Sequence, residues 1–225
     1  KNIKSTKNST NLVLFIDEKF NFLKLKKYVS PKEYSFISDL LKSKDLKKRI
    51  ISFDISSKKR IILISLKKDS QGADLENLGA KFYDNFKNFK IKDYILNSET
   101  IPLKSNNAVG HFLHGLKLKS YTFEKYLTKK SKNNITFYVS GKKKPSAKEQ
   151  LKFKAIEEGA FLTRDLVSEP GNVLHPDEYA RRLNLLRKDG LRVTIYDQKK
   201  LKKLGMNALL GVGQGSIRGS YLVTL

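Results

Sequence analysis

Apolar residues fall along this chain in two patterns, short unbroken blocks and longer segments with an apolar position every third or fourth residue. Leu12–Ile16 ("LVLFI") is a block of the first kind and reads as a buried strand. "SPKEYSFISDLLKS" then opens a helix, with Ser30 as N-cap, Pro31 at the first helical position and Glu33 at the capping-box site. Ile50–Ile55 and Ile61–Leu66 are two further β-type blocks joined by the polar turn "SSKK". The second is nearly continuous in Ile and Leu, as expected of a strand covered on both faces.

In "ADLENLGAKFYDNFKNF", Leu75, Leu78, Phe82, Phe86 and Phe89 recur at steps of three and four. Aromatics interleaved with Lys could form a stacking surface for single-stranded nucleic acid. Helical spacing favours the apolar stripe of a helix packed on a sheet. "DYILNSET" is a weaker strand, Asn107–Leu118 is helical, and "NITFYVSG" at Asn134–Gly141 is a strand. The order β-α-β-β-α-β-α-β predicts an α/β domain, helices against a mixed sheet, closing at the Gly-, Pro- and Lys-rich "GKKKPS".

A long helix is predicted from Ala147, with Leu151, Ala155, Gly159, Leu162 and Leu166 on one stripe. Gly159 there costs roughly 1 kcal/mol in helix propensity, so it implies either close packing or simple tolerance. The helix ends at Glu169-Pro170-Gly171, and another spans Pro176 to Asp189 with Gly190 as C′ residue. "LRVTIYD" is a strand, "QKKLKKLG" a short helix with terminal Gly205, and "YLVTL" the start of another strand. This is a second α/β unit whose parallel sheet the remaining residues do not complete. The expectation is one complete small domain followed by the opening of a larger one.

The 225 residues carry no Cys, which excludes a disulfide framework, thiolate metal sites and a Cys nucleophile. No apolar run reaches the ~18 residues of a membrane span, and "KNIKSTKNST" has no leader-like apolar core, so a cytoplasmic protein without membrane contact is expected. A net charge of +24 suggests a nucleic-acid partner. Only eight of the 46 basic residues are Arg, however, and the Lys are scattered beside many Asn and Ile. Arg forks onto phosphate and guanine, whereas Lys is a solvated point charge, so the excess reads as compositional.

Candidate chemistry is sparse. His111 and His114 ("HFLH") are spaced to offer two imidazoles from one helix face, but no third ligand stands nearby and a packed pair fits better. "GVGQGS" at Gly211–Ser216 could cradle a phosphate, yet Ser216 holds the third glycine's place and no P-loop Lys follows. A turn between short strands is the better reading. His175 could act as a general base; directly before Pro176 it reads as a cap or turn residue. No paired carboxylates, Ser/His/Asp set or HExxH motif can be assembled. Catalytic, cofactor-binding and metal residues are therefore expected to number none in these 225 residues.

"RDLVSEPGNVLHPDEYA" (Arg164–Ala180) resembles the interdomain junction of the leucyl aminopeptidase family, where a long helix ends in an Asn-Glu-Pro-Ala-Asn-type turn. "RIILISLKK" (Arg60–Lys68), "GLKLKSYTFEKY" (Gly115–Tyr126) and "LKKLGMNALLGVGQGS" (Leu201–Ser216) agree in order and spacing. Ser168 and Gly171 depart from the usual Asn and Ala, and His175 stands where Thr or Ser normally caps the helix. The resemblance implies a small N-terminal domain similar to macro domains over residues 1–141, a linker helix at 142–169, and the beginning of a peptidase domain at 170–225. It further implies homo-hexamers and hydrolysis of N-terminal peptide bonds by two divalent ions, Mn or Zn, that activate a bridging water. The resemblance implies ligands, one Lys and several Asp and Glu, that lie after the strand beginning here at Tyr221, in segments including an Asp-Thr-Gly-Gly run and an Asn-Thr-Asp-Ala-Glu-Gly-Arg run. Neither run occurs here, so the chain is expected to be a fragment, truncated at Leu225, that binds no metal and is inactive alone.

The rival reading is a basic α/β binding module contacting DNA or a phosphorylated nucleotide. If the Lys excess is compositional, duplex DNA binds weakly, without sequence preference, and most affinity disappears between low and physiological salt. Fluorescence anisotropy across a salt series checks this; nanomolar, sequence-selective binding at physiological salt would favour the binding module.

Overall fold

The structure, a computed structural model, describes residues 11–103, 107–130 and 135–225. The polar stretch Lys1–Thr10 and the expected strand start at Asn134 lie outside them. Contacts divide the chain into two compact units, Lys1–Phe161 and Leu162–Leu225.

The first unit is built on strands β1 (Asn11–Asp17), β2 (Ile50–Ser56), β3 (Lys59–Leu66), β4 (Asp93–Asn97) and β5 (Thr136–Ser140) in the order β2-β3-β1-β4-β5. β1 runs parallel to β3 and β4, and β4 to β5. β2 and β3 pair antiparallel, because only two residues separate them and a turn that short can only reverse the chain. The mixed sheet with flanking helices is the architecture expected from the element order.

Helices α1 (Pro31–Lys42), α2 (Gly72–Phe86) and α3 (Ala108–Lys119) supply the covers. Val13, Phe15, Ile62 and Ile64 share a core with α2 and α3. Leu14, Ile16, Ile61 and Leu63 share another with α1 and the 3-10 turn Phe22–Tyr28. Both faces of β1 and β3 are thus buried, which explains their continuous apolar runs. Ser30 caps α1 with the full reciprocal box: its Oγ accepts from the Glu33 N–H at 3.3 Å, and the Glu33 carboxylate accepts from the Ser30 N–H at 2.9 Å. On α2, Leu75, Leu78, Phe82 and Phe86 are core. Phe89 lies beyond the helix and is 39% exposed, so it leaves the predicted stripe.

α2 and α3 meet backbone to backbone. A Cβ at Gly79 would lie 1.9 Å from the Phe112 carbonyl oxygen, and one at Gly115 would lie 2.0 Å from that of Glu76. Only hydrogen fits at either place.

α4 (Ala147–Ser168) presents a different face from the one its Leu spacing predicts. Phe153 packs its ring 5.1 Å from His111 and 5.0 Å from His114, in a recess opened by Gly110. Phe161 lies against Tyr121 at 5.2 Å. Leu151, by contrast, is 66% exposed, and nothing stands within 4 Å of a Cβ placed at Gly159. The inward stripe is 153, 157 and 161, because Phe153 fills the recess at Gly110, Glu157 meets His114 and Phe161 packs on Tyr121. Gly159 is tolerated rather than required for packing.

The second unit holds α5 (Pro176–Asn184), β6 (Thr194–Tyr196), α6 (Gln198–Lys203), α7 (Asn207–Gly213) and β7 (Leu222–Thr224). The helix predicted to run to Asp189 keeps α-geometry only to Asn184 and tightens to 3-10 over Leu185–Asp189. Gly190 then takes φ +90° as the C′ residue. β6 and β7 pair antiparallel, not parallel, since α6 and α7 return the chain along the strand it left.

Gly79→Ala should destabilise the first unit by about 1–3 kcal/mol or more, as overpacking against backbone that cannot yield does. Gly159→Ala should be neutral or stabilise by up to ~1 kcal/mol through helix propensity. Urea titration of both variants checks the contrast.

Candidate functional site

The junction between α4 and α5 is the most constructed polar site in the second unit. Pro170 has no N–H to continue the helix. Its carbonyl instead accepts from the Val173 and Leu174 amides, each at 2.9 Å, closing a turn. Glu169, the last residue before the break, has a side chain only 1% exposed. Its carboxylate accepts from the Arg182 guanidinium at 2.7 Å, so α5 is tied to the end of α4 by a buried ion pair.

The pair extends into a network. Arg181 forks onto Glu178 through Nε at 2.6 Å and Nη2 at 2.7 Å, and Arg182 Nε reaches the same carboxylate at 2.8 Å. Hydrogen bonds from Arg181 and Arg182, with their charges, outweigh burial and hold the Glu178 carboxyl down at about 2. Burial works against ionisation of Asp177, but hydrogen bonds from its own backbone and His175, and the His175 and Arg218 charges, hold it below the usual range.

His175 is the N-cap of α5, as expected: its backbone is extended and Nδ1 lies 3.4 Å from the Glu178 amide. The same nitrogen contacts the Asp177 carboxylate. A neutral Nδ1 accepts from the amide, whereas a protonated one donates to Asp177, so one tautomer serves one partner. Beside this junction a cavity of about 830 Å³ is lined largely by apolar side chains, including Leu162, Leu166, Leu174, Tyr179, Leu183 and Val223.

The other sequence candidates lie elsewhere. His111 and His114 each place Nδ1 on a separate carboxylate, Glu76 at 2.8 Å and Glu157 at 2.9 Å, and Phe153 contacts both rings. They are packing residues of the first unit. "GVGQGS" is not a turn between strands: Gly211–Gly213 finish α7, and the turn follows over Gln214–Ser216. Among the described residues, no three His, Cys, Asp or Glu side chains converge as a metal would need. The buried Glu169–Arg182 tie was not apparent in the sequence; a Glu before Pro-Gly gives no hint that it faces an Arg thirteen positions later.

The model of the cytosol aminopeptidase family's catalytic domain matches residues 161–225. The probable cytosol aminopeptidase of Agrobacterium fabrum is 38% identical over 180 residues, covering 76% of this chain and 36% of that relative. That of Phytoplasma australiense is 45% identical over 123 residues, covering 53% and 25% respectively. A tomato leucine aminopeptidase variant superposes with TM-score 0.77 at 17% identity, over 99% of this chain and 49% of that one. The bottromycin maturation enzyme BotP, solved also in complex with Mn, gives TM-score 0.69 at 16% identity over 96% of this chain. The match thus spans about a quarter to a third of the curated relatives' length and about half that of the solved chains. The mixed α/β unit and long helix are the fold shared with these solved structures, and residues 161–225 are the part matched by the family's catalytic-domain model. The chain belongs to the leucyl, or cytosol, aminopeptidase family. Among the described residues no helix is long and apolar enough to cross a membrane.

Glu178 offers a direct test of the junction. Because its folded carboxyl sits below the ordinary 4.5, its stabilising contribution is fully present above that value and fades as pH falls through about 2. Carboxyl chemical shifts followed by NMR should give a Glu178 midpoint near 2, returning toward 4.5 in the Arg181→Ala/Arg182→Ala double variant.

Proposed function

We propose that the protein to which these residues belong is a metal-dependent aminopeptidase that releases N-terminal amino acids from peptides. The match of residues 161–225 to the aminopeptidase catalytic-domain model carries this reading. In the same region a buried Glu169–Arg182 pair and a capped α5 order the turn that follows α4. We assign residues 1–141 to an N-terminal domain similar to macro domains, 142–169 to a linker helix, and 170–225 to the opening of the peptidase domain. Two divalent ions would supply Lewis acidity and an activated water when bound. In this reading the residues described here hold neither ion and contribute architecture to a cytosolic homo-hexamer.

The 225-residue chain by itself should therefore be catalytically silent. Incubation with Mn or Zn and leucine p-nitroanilide should give no release of nitroaniline above buffer. Turnover that co-elutes with the chain and survives further purification would overturn the assignment of residues 170–225. A second readout is metal content: equilibrium dialysis against Mn should leave less than one ion per chain, whatever the activity.

A further inference from the structure

A cleft of about 400 Å³ opens where β1, β3 and β4 begin, between the tip of the β2–β3 hairpin and the loop after α2. Lys58, Lys59, Arg60 and Lys90 line it, with Asp54 the one carboxylate in its wall. Arg60 is matched by Asp54, and Lys59 reaches Glu33 at 2.5 Å. Lys58 and Lys90 have no carboxylate within ion-pair distance among the described residues, so two ammonium charges remain unmatched at the cleft.

The cleft also presents a ring. Phe89 departs from the α2 stripe, yet it is held: the Arg60 guanidinium stands 3.9 Å from its centroid and Phe86 packs at 5.6 Å. Its loop is fastened to β1 by Asn11, itself 4% exposed, which donates to the Ile91 carbonyl at 3.4 Å and the Asp93 carbonyl at 3.3 Å. A solvent-exposed Phe on a mobile loop would need no such anchoring. Here a buried amide positions an exposed ring beside four cations.

We propose that this cleft binds a planar aromatic phosphate monoester, the chemistry of a nucleoside monophosphate, with Lys58 and Lys90 at the phosphate and the Arg60–Phe89 stack beside the ring. A phosphate monoester carries roughly −1.5 to −2 charges at neutral pH, which two ammonium groups match. Arg and aromatic faces both stack on bases without demanding a particular one. This site lies wholly in the first unit and does not depend on the aminopeptidase reading.

Equilibrium dialysis of the full 225-residue chain with adenosine 5′-monophosphate, adenosine and inorganic phosphate tests it. The monophosphate should bind more tightly than either part. Lys58→Ala/Lys90→Ala should weaken it by about tenfold or more, the effect of losing a charge-assisted contact. Phe89→Ala should weaken the monophosphate while leaving inorganic phosphate unchanged, and Phe89→Tyr should retain binding, which separates loss of the ring from loss of the fold. Lys129→Ala/Lys130→Ala, away from the cleft, should change nothing. Equal binding of monophosphate and inorganic phosphate would overturn the proposal, as would an equal loss in the Lys129/Lys130 variant, since diffuse charge would then explain all of it.

Discussion

The first unit depends on the contact of α2 with α3. Because Gly79 and Gly115 carry no Cβ, each lets the other helix's carbonyl approach to a distance no side chain allows. The gain is not in the glycines themselves, which weaken helices by roughly 1 kcal/mol each. It lies in what close approach brings together. Phe82, Phe112, Tyr94 and Phe137 meet largely edge to face within 6.1 Å, a cluster that a wider helix spacing would pull apart. The same spacing lets His111 reach Glu76 across the two helices. It also sets the outer face of α3, where Gly110 leaves the recess that Phe153 of α4 fills. The seating of the long helix is thus a consequence of two glycines in other helices.

Much of this was legible in the residues, and the exceptions have a common physical cause. Local rules worked where the information is local. The capping box at Ser30 and Glu33, the C′ glycine at 190 and the N-cap at His175 each concern one turn of chain. The block at β1 correctly implied a buried strand, and the one at β3 a strand covered on both sides. Failures came where the partner decides. Leu151 and Gly159 have helical spacing, but the opposing surface offers a recess shaped for an aromatic ring, so 153 and 161 turn inward. In "GVGQGS", the glycines suggest a turn, yet Asn207–Leu210 had already started a helix that carries through Gly213. Strand direction in the second unit was equally invisible, since three-residue strands carry no signal of parallel or antiparallel pairing.

The charge gives a similar lesson at larger scale. A net +24 invites one explanation, but the basic residues do different things in different places. Arg181 and Arg182 are structural, forked onto Glu178 and Glu169. Lys143 donates to the Ile101 and Leu103 carbonyls at 2.7 and 3.2 Å, fastening a loop. Lys87 and Lys119 share Asp84, whose carboxyl is held below its usual range despite the opposing effect of burial. Among the described residues, Lys58 and Lys90 are unmatched ammonium groups beside the anchored Phe89 ring, the arrangement on which the proposed monophosphate site rests.

The two units are also held by different forces. The first has two apolar clusters, one on each face of its sheet. In Leu162–Leu225 the buried apolar residues are Ala180, Val193 and Leu201, while a broad apolar cavity stays open. Its order rests instead on capping and ion pairs: His175 and Asp197 at helix starts, Glu178 under two arginines, Glu169 under Arg182. Burial of apolar area is insensitive to salt and acid, whereas exposed ion pairs are screened and carboxylates are eventually protonated. Buried Glu169 is the exception within this set, shielded from screening, so removing Arg182 would cost more than breaking any exposed pair. The junction therefore concentrates the second unit's dependence on polar order in one buried contact, at the point where the chain leaves α4.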